Sequence, residues 1–117
     1  MKIQLSVAHV KFGGNTGNRE YFYALSEETV IVSNKNQSME IKLSDTTDKR
    51  FTINRVLSSN PATFIDLNII DKGRKVTFTN TNLFNQTVTV SLLVTDSKNN
   101  GKLINCDPQV LNSPDPD

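Results

Sequence analysis

His9 and Cys106 are the only histidine and the only cysteine of the chain, and hence its best candidates for a base and a nucleophile near neutral pH. They stand at opposite ends of the sequence, and nothing in the spacing brings them together. His9, between Ala8 and Val10, is expected to be a strand residue, and Cys106 to pack as a small hydrophobe. A structural zinc site takes three or four His or Cys ligands, more than the chain holds, so neither a metal nor a cofactor is expected. Carboxylates are more plentiful. Asp66, Asp96 and Asp107 would form an acid and base set if the fold gathered them, because carboxyls in different environments split their pKa values.

Two further segments imitate ligand loops. Asp96-Ser97-Lys98-Asn99-Asn100-Gly101, with Asp107 at the twelfth place, follows the start of a calcium loop. Lys98, however, would set a cation at the third ligand position, and the flanking residues alternate as strands where that motif requires helices. A hairpin turn accounts for the same residues. Gly13-Gly14-Asn15-Thr16-Gly17 lacks the Lys-Ser/Thr of a phosphate loop and precedes a strand, so it reads as a flexible loop. Asp45 and Asp48 read as turn formers, and the acceptor triplets at Asn36 and Asn85 as products of an Asn- and Thr-rich composition.

Tyr21, Phe22 and Tyr23 form the one aromatic cluster. On a strand the two tyrosines share a face and Phe22 takes the other. If Phe22 points inward, Tyr21 and Tyr23 present a platform to a sugar ring or a partner. If the tyrosines point inward, they are a buried pair with hydroxyls at the rim.

These side chains must be positioned by strands. Period-two alternation runs through Ile3 to Val10, Glu20 to Leu25, Thr29 to Val32, Met39 to Leu43, Phe51 to Leu57, Phe64 to Ile70, Lys75 to Thr81 and Thr87 to Thr95. No stretch carries helical apolar spacing over three turns. Asp71-Lys72-Gly73 and Asn99-Asn100-Gly101 are hairpin turns, and Ser58-Ser59-Asn60-Pro61 a link that crosses between sheets. The fold class is therefore all-β: an antiparallel, immunoglobulin-like β-sandwich of about eight strands, with little or no helix. At 117 residues there is room for one core. Residues 1–105 make the sandwich domain, and residues 106–117, with three of the four prolines, a Pro/Asp tail. Gln109 to Leu111 could follow a sheet edge, while the last four residues should project. Val110 and Leu111 are too apolar for water and should adjoin a strand edge or a neighbouring subunit.

Asp107-Pro108-Gln109-Val110, followed by Pro114-Asp115-Pro116, resembles the C-terminal signature of the small bacterial DP-EP family. The resemblance implies a β-sandwich of bacterial origin and carries no catalytic residues, since no activity is attached to the family.

Thirteen basic against twelve acidic residues leave a net charge of +1 and no basic run, which argues against nucleic-acid binding. No segment has the length and hydropathy of a signal peptide or a membrane span, so a cytoplasmic protein is expected. The functional expectation is a non-catalytic binding or protein-interaction module, forming a homo-oligomer through edge strands or the tail. A carbohydrate-binding module using Tyr21 and Tyr23, or a small carboxylate enzyme, are the alternatives.

Overall fold

Alternating runs of β-branched and aromatic residues become strands because each buries one side and wets the other. A computed structural model describes residues 1–27 and 29–115. The strands are β1 (Lys2–His9), β2 (Tyr21–Leu25), β3 (Thr29–Val32), β4 (Gln37–Leu43), β5 (Phe51–Ser58), β6 (Phe64–Ile70), β7 (Lys75–Asn80), β8 (Gln86–Asp96), β9 (Lys102–Cys106) and β10 (Gln109–Asn112). They form two facing five-stranded sheets. One has the order β2-β1-β4-β7-β6. The other has the order β3-β10-β8-β5, with β9 also on β8. The expected sandwich is present, and all eight expected strands are there within a few residues. The sheets are mixed rather than purely antiparallel, because β1 with β4 and β10 with β3 run parallel. Among the described residues no helix is long and apolar enough to cross a membrane.

The core lies between the sheets and is contributed by alternate residues. Met39, Ile41 and Leu43 of β4 meet Val88, Val90, Leu92 and Val94 of β8 in one buried cluster. The expected turns are in place. Asp71, Lys72 and Gly73 all take positive φ in the β6–β7 hairpin, as do Asn100 and Gly101 in the β8–β9 hairpin. Residues 59–63 carry the chain from β5 to β6 across the sandwich.

The proline-containing segment is built into the second sheet. Cys106 of β9 faces Leu92 of β8, and three residues further on Gln109 of β10 faces Thr89, so the register passes unbroken through Asp107-Pro108. β9 and β10 are two halves of one strand, interrupted where Pro108 has no N–H to give the ladder. The Val90 amide still donates to the Pro108 carbonyl (3.3 Å). A boundary at residue 105/106 thus falls inside β9. The expectation of an edge position for Gln109 to Leu111 is corrected, since β10 lies between β3 and β8. Its position follows from alternation: Val110 and Asn112 are buried and Gln109 and Leu111 are not. Beyond β10, Ser113 and Asp115 donate to the Val32 and Ser33 carbonyls, so the chain stays against β3 to residue 115 rather than projecting. Pro116 and Asp117, the rest of the expected projection, lie outside the described residues.

Candidate functional site

The two sides of the sandwich differ, and the candidate residues divide between them. On one side β2, β3 and β9 are the outer strands; on the other, β5 and β6. The β1–β2 connection folds back over the β2 edge. Tyr21 and Thr16 exchange backbone hydrogen bonds (3.2 Å each), and the Asn15 side chain acts as a short strand, donating to the Tyr23 carbonyl (2.9 Å) and accepting from its amide (2.8 Å). Thr16 then donates its hydroxyl to the Asn105 carbonyl of β9 (2.6 Å), which stitches the two sheets together. Gly14 of this loop serves close approach, since a Cβ there would fall 2.1 Å from the Tyr21 carbonyl oxygen, while Gly13 has open space around it and takes positive φ.

Tyr21 closes the same side from within. It is fully buried, and its hydroxyl donates to Asp96 Oδ2 (2.7 Å) and accepts from the Asn99 amide (2.8 Å). Asp96, also fully buried, receives a two-pronged Arg50 guanidinium, Nε to Oδ1 and Nη2 to Oδ2, both at 2.8 Å, and the Lys98 amide. Arg50 holds the Asp96 carboxyl down at about 2 against the opposing effect of burial, with the Tyr21 hydroxyl adding to the same direction. The Tyr21 phenol is raised, chiefly by burial. An ionised, fully bonded carboxylate with no open lone pair is a structural anchor and cannot deliver a proton near neutral pH.

The sequence-derived candidates are placed as follows. The reading of Tyr21 and Tyr23 as an exposed platform is corrected, because Tyr21, Tyr23 and Leu25 turn inward and Phe22 outward. Tyr23 alone reaches a groove, at the outer rim between the sheets. Asp66, Asp96 and Asp107 are not gathered. Asp66 sits on β6, the far edge strand of the other sheet. Asp107 follows Cys106, which faces Leu92, four residues along β8 from Asp96, about 13 Å at strand spacing. Paired-carboxylate chemistry works within about 10 Å. Among the described residues no three His, Cys, Asp or Glu side chains converge. Asp96 caps the β8–β9 hairpin, accepting the Asn99 and Gly101 amides on its carbonyl, so the residues that imitate a calcium loop make a turn. His9 is exposed with its ring edge on Tyr21, at 5.2 Å between centroids. Cys106 is buried, and burial with the neighbouring Asp107 pushes its thiol up to about 12. Val110 is a core residue, and Leu111 lies on the outer face.

On the β5/β6 side the core is open. Each of these strands pairs on one edge only, and Leu57, Ile65, Leu67, Ile69 and Ile70 remain 38 to 48% exposed. A groove of about 160 Å³ enters between the sheets here, lined by Val56, Leu57, Pro61, Phe64 and Leu67. Asp66 takes φ 55° at a bulge between Ile65 and Asn68, which interrupts the β6–β7 ladder and twists the edge. A larger cleft of about 450 Å³ at one end is lined by charges of both signs. Its Arg74 is spent on four backbone carbonyls, those of Ser44, Thr47, Asp48 and Phe51.

Sequence reasoning missed the Arg50–Asp96–Tyr21 anchor, the Asn15 bridge, and a reciprocal amide pair between Asn80 and Asn112 buried between the sheets (2.8 and 3.1 Å). The partners of the anchor and of the Asn80–Asn112 pair are far apart in the chain, so no local spacing marks them, and Asn15, eight residues from Tyr23, meets it only because the loop folds back over β2.

Fold and side-chain arrangement together define a β-sandwich of two mixed sheets with one sealed and one open side. The chain matches the DP-EP family over residues 3–117 and belongs to that family. No curated protein matches it.

Proposed function

We propose that the chain is a non-catalytic protein-interaction module that associates through its β5/β6 side with a second copy of itself. The observation that carries this reading is the aliphatic group Leu57, Ile65, Leu67, Ile69 and Ile70, left partly exposed beside an open inter-sheet groove. Leu57 and Leu67 line the groove, while Ile65 and Ile70, paired with Thr79 and Lys75, lie on the outer face of β6; together the five side chains expose on the order of 400 Å² of apolar surface around this edge. It is about half of what one partner contributes to a standard interface, so with a polar rim it fits a dimer of modest size. A two-fold interface brings the same patch from both copies together. Asp66 is the one charged residue within β6, and an antiparallel pairing centred on Leu67 sets it opposite Asn68 rather than opposite itself. The bulge between Ile65 and Asn68 interrupts the regular backbone of this edge, so side chains supply most of the contact.

The non-catalytic part rests on the separation of the carboxylates and on the full engagement of Asp96. A bacterial cytoplasm is the setting we propose, consistent with the family resemblance and the single cysteine. Sedimentation velocity of the full chain, from micromolar to millimolar concentration, should reveal a dimer that Leu67→Glu converts to monomer. A single 13.1 kDa species across that range would sink the reading.

A further inference from the structure

The sealed side holds a second surface, independent of the open edge. Where β2 of one sheet faces the β3 and β10 strands of the other, a groove of about 300 Å³ runs between Tyr23, Leu25, Asn15, Thr29, Asp107 and Gln109. This volume is at the lower end of small-molecule sites. We propose that the groove binds a neutral saccharide, with Tyr23 as the apolar surface under the ring and Asp107, Gln109 and Thr29 as partners for its hydroxyls.

The argument is chemical. Tyr23 and Leu25 pack inward against the core and give the groove an apolar floor. The side chains of Thr29 and Gln109 and the Tyr23 hydroxyl make no hydrogen bond to other described residues. Asp107 gives one oxygen to Asn105 (3.0 Å) and keeps the other open. Donors and acceptors are therefore both on offer, as vicinal hydroxyls require, beside an aromatic ring whose face suits sugar C–H groups. Among the described residues the lining carries no Lys or Arg, which disfavours phosphates and carboxylate ligands. Among the described residues of the lining, one exposed carboxylate stands among amides and hydroxyls, which suits hydroxyl donors better than an ammonium group. The walls are fixed beforehand. The Asn15 amide holds the Tyr23 backbone, Thr16 holds Asn105, and Asn105 holds Asp107, so little order is lost on binding.

The test is a titration of the isotope-labelled full chain, followed by amide NMR, with methyl glucoside, methyl galactoside, N-acetylglucosamine, cellobiose, maltose and xylobiose into the millimolar range. At least one should shift the Asn15 and Gln109 side-chain amides saturably, and Asp107→Asn or Gln109→Ala should weaken that binding about tenfold, the loss of one good hydrogen bond. Both substituted residues are exposed, so the variants should fold. Inorganic phosphate and tetramethylammonium should leave these signals in place. The proposal is overturned if no sugar in the set shifts them saturably, if tetramethylammonium shifts them as strongly, or if both variants bind like the parent chain.

Discussion

The sealed and open sides of the sandwich solve the same problem in opposite ways. Any two-sheet fold ends in strands whose outer amides and carbonyls lack partners. On the sealed side the chain spends the 11–20 loop, an asparagine side chain and a threonine hydroxyl on the β2 edge and one β9 carbonyl, and plugs the rim with Tyr21 on Asp96, while among the described residues β3 pairs only with β10. On the open side it spends only a bulge at Asp66 and leaves five aliphatic side chains partly wet. The first arrangement takes its stability from internal bonds. The second leaves apolar contact available to another surface. Substitutions should therefore cost folding on one side and association on the other.

The largest effect should come from removing β10. Truncation after Cys106 takes away Val110, leaves β3 without its neighbour and strips Asn80 of its amide partner, so no cooperative melting transition should remain. Truncation after Asn112 keeps all three and should melt close to the full chain. If the two shortened chains melt alike, β10 is not the structural element described above.

Next comes Asp96→Ala. It strands the Arg50 guanidinium and the Tyr21 hydroxyl, and breaking such a buried pair costs about 3 kcal/mol, or about 10 °C in melting temperature for a domain of this size. A loss below about 3 °C would mean that Arg50, which is 20% exposed, recovers its hydration without penalty.

The same anchor predicts an acid response. Asp96 lies at about 2 in the folded chain against an ordinary 3.8, so its contribution is complete above about pH 4. As pH falls from there towards 2, the unfolded chain takes up a proton that the folded chain refuses, and about 2 kcal/mol of stability is lost. Urea melts of the parent and of Asp96→Asn, at pH 5 and pH 2.5, should differ in this slope. Equal slopes would remove Asp96 as its source.

The smallest effect on folding belongs to the open side. Ile69→Ser, on a residue already 38% exposed, should shift monomer stability by about 1 kcal/mol or less while weakening self-association. A loss comparable to Asp96→Ala would show that β6 is core rather than contact surface.

Much of the fold was legible because strand formation is written in local alternation. Met39, Ile41 and Leu43 announce their common face without reference to the rest of the chain. The hairpins at Gly73 and Gly101 were legible for the same reason, since positive φ is a local demand that glycine meets. The Tyr21–Phe22–Tyr23 strand was legible too, but not its inward face, because both choices alternate equally well. Only packing put Tyr21 on Asp96, 75 residues away. The Asp107-Pro108 pair misled for an instructive reason: proline forbids one ladder bond, not a whole strand, and the register that carries β10 past Pro108 is set by β8. By itself the sequence determined an all-β domain, its turns and most of its strands, because those follow from side-chain periodicity and backbone preference. The tertiary structure alone decided which edges are covered, which carboxylate is locked and where grooves open, because these depend on residues that meet only when the sheets close over the core.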